Sequence, residues 1–322
     1  MSLLVAAAAL TGYLIDARGG VSIYRRNFTK PSPAAVGVEL HSGDTIVVSK
    51  DASAQVLCPN LLTAWEPVPQ TSSGVFEGCP AAPEPTRMRD EQQVLGVRAD
   101  EGVVNVLAPS NTVVASREPL IRWERVPGAD EYRVSILIAS TRRVVWGPAL
   151  VEGTETHYGG KPPLDPGVRY AVRVTAGGAV GEGAPFTVAT EGMLASRNER
   201  QKQLATAIRG RGARELAIAI DLLHHGFRSE ALRRLEELTP SIGSAAVWLL
   251  YARCLGDIGA THAEYEALRR SADAAERQQD SFTEAEALQA MARMSKPEEA
   301  STLMDRAHQL LRKLGERSTG GR

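Results

Sequence analysis

The sequence predicts a multidomain chain in which two all-β modules precede an all-α array of helical hairpins. Three observations predict this. Gly226, Gly259 and Ser295 each stand in a turn between two helical patterns, 33 and then 36 residues apart. Such a period marks stacked hairpins, none of which can bury its apolar face alone. The stretch 107–192 instead breaks into short strand-like runs punctuated by Pro-Gly turns, and 12–106 does so around Gly19-Gly20 and Gly43-Asp44. A length of 322 residues accommodates three modules.

Residues 1–11 contain the longest apolar run, Leu3–Leu10, well short of the roughly 18 residues that a bilayer span needs. No transmembrane span is therefore expected. The run ends in small residues like the apolar part of an export signal, but no basic segment precedes it, so 1–11 reads as a truncated signal remnant. A plain first strand is the alternative.

In the first module, 12–106, the run GYLIDARGGVSIYR carries two strand patterns parted by Gly19-Gly20. GVELHSGDTIVVSKDASAQVLC then places Gly43-Asp44 at a turn between two more. Cys58 and Cys79 bracket a loop rich in Pro, Ser and Gly. Either they bridge, which stabilises by about 3 kcal/mol for such a loop and suits an oxidising compartment, or they stay as two thiols. Gly37, Leu40, Gly43, Asp44, Ile46, Val47 and the run Ala54 to Leu57 resemble the FecR-type domain, named for an iron-citrate sensor. The resemblance implies an extracytoplasmic β domain and, as in that sensor, a part in relaying a signal across a membrane.

In the second module, 107–192, strands are expected at Thr112–Ala115, Leu120–Val126, Tyr132–Ala139, Val144–Trp146, Arg169–Ala176 and Phe186–Ala189. Val134, Ile136 and Ile138 alternate with their neighbours at period two. Pro127-Gly128 and Pro166-Gly167 mark turns. Trp123, with apolar partners in Ile121 and Tyr132, reads as a core residue rather than a sugar-stacking one. Glycines 177, 178, 181 and 183 read as a flexible hairpin; no helix follows them, so they are not a dinucleotide fingerprint. LDPGVRYAVRVTA, with Leu164, Pro166 and Gly167 ahead of Tyr170, resembles a fibronectin type III signature. LIRWERVPGADEYRVSI is similar to the fibronectin-like modules of exported bacterial proteins. The resemblance implies a β-sandwich in which the Tyr170 hydroxyl closes a tyrosine corner, and by itself it implies no function.

The array, 193–316, opens with a helix at about Ser196–Arg209 that would cover its apolar edge. Leu216, Ile218, Leu222 and Leu223 recur at helical spacing, as do Ala231, Leu235 and Leu238. Ala219, Ala252 and Ala300 fall where helices approach closely. Trp248 takes the large apolar position of the second repeat, and Pro297 suits a first helical residue. Residues 317–322 read as a disordered tail. The hairpins resemble the tetratricopeptide repeat, with Ala219, Ala252 and Leu288 replacing the characteristic glycine of each first helix. That resemblance implies a concave face lined by the first helices, with His224, Arg253, Asp257, Phe282, Gln289 and Arg293 directed outward. Arg253, Gln289 and Arg293 would then grip a carboxylate or a peptide backbone. Two plainer readings are a solvated surface, or an array docked on its own β modules.

A net charge of −1 and a pI near 6.6 argue against a nucleic-acid binder. No H-E-x-x-H, phosphate-loop or nucleophile-elbow motif occurs, so no metal, cofactor or enzyme activity is expected. His224 and His225 project about 100° apart on a helix and cannot alone chelate one ion. Cys254 reads as a small buried hydrophobe. The expected function is a non-enzymatic, periplasmic or otherwise exported scaffold that binds a protein or peptide through its repeats while the β modules position it in the envelope. The alternatives are a cell-wall glycan binder with the helices as a dimerisation platform, and a FecR-like relay that needs a membrane-spanning partner.

Overall fold

A computed structural model describes residues 11–80 and 104–315. The expectations for residues 1–10, 81–103 and 316–322 lie outside the described residues. Strands occupy the chain as far as Val188, and seven helices follow from Glu191 to Lys313.

The first eight strands are β1 (Thr11–Arg18), β2 (Val21–Tyr24), β3 (Ser32–Pro33), β4 (Glu39–His41), β5 (Thr45–Val48), β6 (Ser53–Leu57), β7 (Ala64–Trp65) and β8 (Ser72–Gly74). They form two four-stranded sheets in the orders β4-β1-β6-β7 and β3-β2-β5-β8. β1 pairs antiparallel with β6, Tyr13 opposite Leu57, and its register shifts between Leu14 and Asp16. Leu14, Ile23, Leu40, Ile46 and Val56 fill the space between the sheets. The Cys58 and Cys79 sulfurs are bonded to each other. Gly43 and Asp44 turn the chain from β4 to β5, where Asp44 is buried and does more than turn. Its carboxylate accepts from the amides of His41 and Arg26 and pairs with buried Arg25 at 2.7 Å.

The next nine strands are β9 (Val106–Ala108), β10 (Val113–Val114), β11 (Leu120–Trp123), β12 (Glu131–Ile138), β13 (Val144–Glu152), β14 (Glu155–His157), β15 (Arg169–Ala176), β16 (Ala179–Glu182) and β17 (Phe186–Val188). β14-β11-β9 makes one sheet. The other runs β10-β17-β15-β12-β13, with β16 also on β15. Alternation places Tyr132, Val134 and Ile136 on the inner face of β12, against Trp123 and Ile121 of the smaller sheet. Trp123 is 2% exposed and its ring lies 5.3 Å from that of Tyr132. The Tyr170 hydroxyl accepts from the Asp165 amide at 3.0 Å.

The helices are α1 (Glu191–Ala207), α2 (Arg211–His224), α3 (Arg228–Ile242), α4 (Ala245–Asp257), α5 (Thr261–Gln278), α6 (Ser281–Met294) and α7 (Pro297–Lys313). Gly226, Gly259 and Ser295 fall in the turns within the α2–α3, α4–α5 and α6–α7 hairpins. Ala219 and Ala252 are fully buried, whereas Ala300 is only half-buried. Trp248 is half-buried, edge to face with Tyr251 and beneath the Arg270 guanidinium. α1 begins five residues before the expected Ser196 because Thr190 caps it, its hydroxyl accepting from the Met193 amide. Leu204 is its one buried residue among those described, and partly buried Met193 and Leu194 pack against the same cluster.

Candidate functional site

The inner face of the array is built by α2, α4 and α6, and the first β module lies on it. Tyr13 and Ile15 share one face of β1, while Leu14 points the other way into the module's own core. Together with Leu57 and Leu61 they pack into a single cluster with Leu216, Ile220 and Val247 of the helices. Ala246 of α4 reciprocates by joining the core between the two sheets. Gly37, with φ of +93°, lies against α4 so closely that a Cβ would collide with Val247. The Ser244 hydroxyl donates to the Val36 carbonyl at 2.5 Å.

Polar and aromatic contacts frame this patch. The Tyr13 hydroxyl lies 2.9 Å from His224 Nε2, and the rings meet edge to face. Arg253 bridges Glu39 of β4 at 2.6 Å and Glu286 of α6 at 3.5 Å. Burial opposes the Arg253 charge, but the two carboxylates outweigh it and raise its pKa. Burial raises the pKa of Glu286 despite that partner. It also pushes the Tyr13 phenol above its usual range, with Glu39 adding to the effect. Desolvation lowers the His224 pKa even though part of the ring meets solvent. Phe282 takes the Phe28 ring edge on at 5.9 Å and the Arg25 guanidinium over its face at 4.4 Å. Asp280 caps α6 beside it, accepting from the Thr283 amide at 3.1 Å.

Two further contacts close the assembly. The amides of Thr29 and Lys30 donate to the carbonyls of Gly315 and Leu314, so the first module also grips the far end of the array. On the turn edge, the second module inserts Asn111 and Thr112. The Val113 amide donates to the Gly226 carbonyl at 2.7 Å, and the Ser229 amide at the start of α3 donates to Thr112 Oγ1 at 3.1 Å. Asn111 Nδ2 donates to the Asp257 carbonyl at 2.8 Å, while Arg228 pairs with the Asp257 carboxylate.

The six positions expected to line a groove are thus separated. His224, Arg253 and Phe282 meet the first module. Asp257 belongs to the turn edge beside the second. Gln289 and Arg293 continue the Phe282–Glu286 face of α6 at helical spacing. Among the described residues no hydrogen bond or ion pair joins those two to the first module, and Arg293 is exposed. The contributors missed from sequence are Tyr13, Ile15, Glu39 and Gly37. Their available signal was the unbroken apolar run Tyr13-Leu14-Ile15, as expected for a strand buried on both faces. Among the described residues no group of three or more metal-ligating side chains is gathered, and no helix is long and apolar enough to cross a membrane. No protein-family model matches the chain, and no curated protein matches it either.

Proposed function

We propose that this chain is a non-enzymatic exported scaffold that holds a protein or peptide on the uncovered end of its helical array, with the β modules positioning it in the cell envelope. One observation carries the reading: the inner face of the array already binds a folded β module, through an apolar patch, aromatic edges and a charge-paired arginine. Those are the ingredients of protein recognition. Gln289 and Arg293 extend that face, and offer an amide and a guanidinium to peptide carbonyls or carboxylates. Three strands facing a larger sheet, with Tyr170 bound to a preceding amide, support the fibronectin type III reading. The Cys58–Cys79 bond supports export to an oxidising compartment.

The test is in-cell crosslinking of the full chain, compared with a Gln289→Glu, Arg293→Glu double variant. A recurrent partner whose links map to α6, captured at least tenfold less by a folded double variant, is the expected result. Equal capture by both forms overturns the reading.

A further inference from the structure

A second opening lies away from that face, between α1 and the turn joining α2 to α3. Its volume is about 500 Å³, lined among others by Met193, Arg197, Arg200, Asp221, His225 and Phe227. That is within the usual range for small-molecule sites. Leu204, Leu194 and Met193 pack α1 onto the array, and polar struts join the two beside the opening. Arg200 reaches the buried Asp221 carboxylate through both Nε and Nη2. Arg197 lies over the Phe227 ring and bonds Glu230 at 2.9 Å.

Both Asp221 oxygens are taken by Arg200. Arg197 bonds one Glu230 oxygen at 2.9 Å, and Arg234 forms an ion pair with the other at 3.8 Å. His225 Nδ1 lies 2.8 Å from Arg200 Nη2. Nδ1 also lies 2.7 Å from the Asp221 carbonyl oxygen, which can only accept, so the two contacts ask opposite roles of Nδ1 and fix no tautomer. Burial, reinforced by the Arg200 charge, lowers the His225 pKa to about 4, which keeps the ring neutral at physiological pH. What remains unbonded includes two donors, Arg200 Nη1 and the Gly192 amide in the first turn of α1, where no intrahelical acceptor exists. The helix terminus adds partial positive charge at the same end. An ionised carboxylate is an acceptor-only group, and the Met193 and Phe227 side chains offer apolar surface beside those donors.

We propose that this cleft binds an amphiphilic organic carboxylate, its oxygens held by Arg200 and the start of α1 and its apolar body lying along Met193 and Phe227. The site is independent of the scaffold reading. A free acid and the C-terminal residue of a peptide share this chemistry.

Calorimetric titration of the full chain separates them. The probes are 3-phenylpropionate, its neutral amide, and a tripeptide ending in phenylalanine with free or amidated C-terminus. The expected result is that a carboxylate form binds at least tenfold more tightly than its amide. Whichever acid binds more tightly, free or peptidic, identifies the source. Ser196→Trp, at an exposed position on the rim, should abolish binding while the thermal midpoint is unchanged; Gly192→Trp, also exposed on the rim, serves as a second blocking variant. Equal affinity for acid and amide, binding that survives both folded variants, or no heat with either acid would each overturn the proposal.

Discussion

At the scale of single residues, the most consequential group is Asp44. A carboxylate at a β-turn is ordinarily a local device, yet here it neutralises Arg25 in a site where the two side chains are 4% and 6% exposed. Arg25 in turn lies over Phe282 of α6, so one turn residue orients a cation that reaches the helical array. Asp44→Asn keeps the shape but leaves the guanidinium buried without its counter-charge. Breaking such a pair costs about 3 kcal/mol or more, and a drop of that size in urea-unfolding free energy is expected. His225 yields a second expectation. Its folded pKa of about 4 lies below the 6.5 of a free imidazole, so the unfolded chain takes up a proton that the native ring refuses. Stability contributed by this group is complete above about pH 6.5 and falls as pH drops toward 4. The side chain is 37% exposed, so solvent screening reduces the loss to roughly 1–2 kcal/mol. His225→Gln should flatten the fall in urea midpoint between pH 7 and 4.5 relative to the native chain.

At the scale of elements, the second module is stitched to the first hairpin turn by one loop. Thr112 accepts from the Ser229 amide and so acts as an N-cap for α3 supplied from another module. Thr112→Val removes that oxygen at constant volume and should cost about 1 kcal/mol, in the range for a lost cap, read as a lower thermal midpoint. The hairpins themselves were legible in the sequence because their turns recur at a helical-repeat interval and their apolar residues keep helical spacing. Strand β16 was legible only in part. Glycines 177, 178, 181 and 183 suggested a flexible hairpin; β15 and β16 do pair as a hairpin there, and a Cβ on Gly181 would strike the Val104 carbonyl. Glycine there marks a close backbone approach, which no local pattern distinguishes from a loose hairpin. β13 runs on to Glu152, well past the expected Trp146, because its pairing with β12 resumes at Ala149 beyond the irregularity at Gly147 and Pro148. The six outward positions do not share one face, since Asp257 lies at the turn edge, and what covers Arg253 and Phe282 depends on residues over 200 positions away. Only the continuous Tyr13-Leu14-Ile15 run hinted that β1 has apolar work on both sides.

At the scale of the whole molecule, the modules are successive in sequence but not in space. The first module shares an apolar core with α2 and α4, and the loop at Thr29–Lys30 pairs with the chain near Leu314–Gly315. The array thus closes around a module that precedes it by the length of the second. Burying Ile15 between β1 and the helices contributes to this closure; Ile15→Ala should cost about 3 kcal/mol and shift the unfolding of sheet and helix signals together, because one cluster spans both. Separate transitions for the two signals would mean that the modules unfold independently. The docking itself is tested most directly by amine-reactive crosslinking of an equal mixture of isotopically light and heavy chains. Lys30 and Lys313 are both exposed and lie beside the backbone bonds that join the two ends. A Lys30–Lys313 link confined to light–light and heavy–heavy pairs is the predicted result. Modification of both lysines with no link between them, or links mixing light with heavy, would contradict a helical face covered by its own β module.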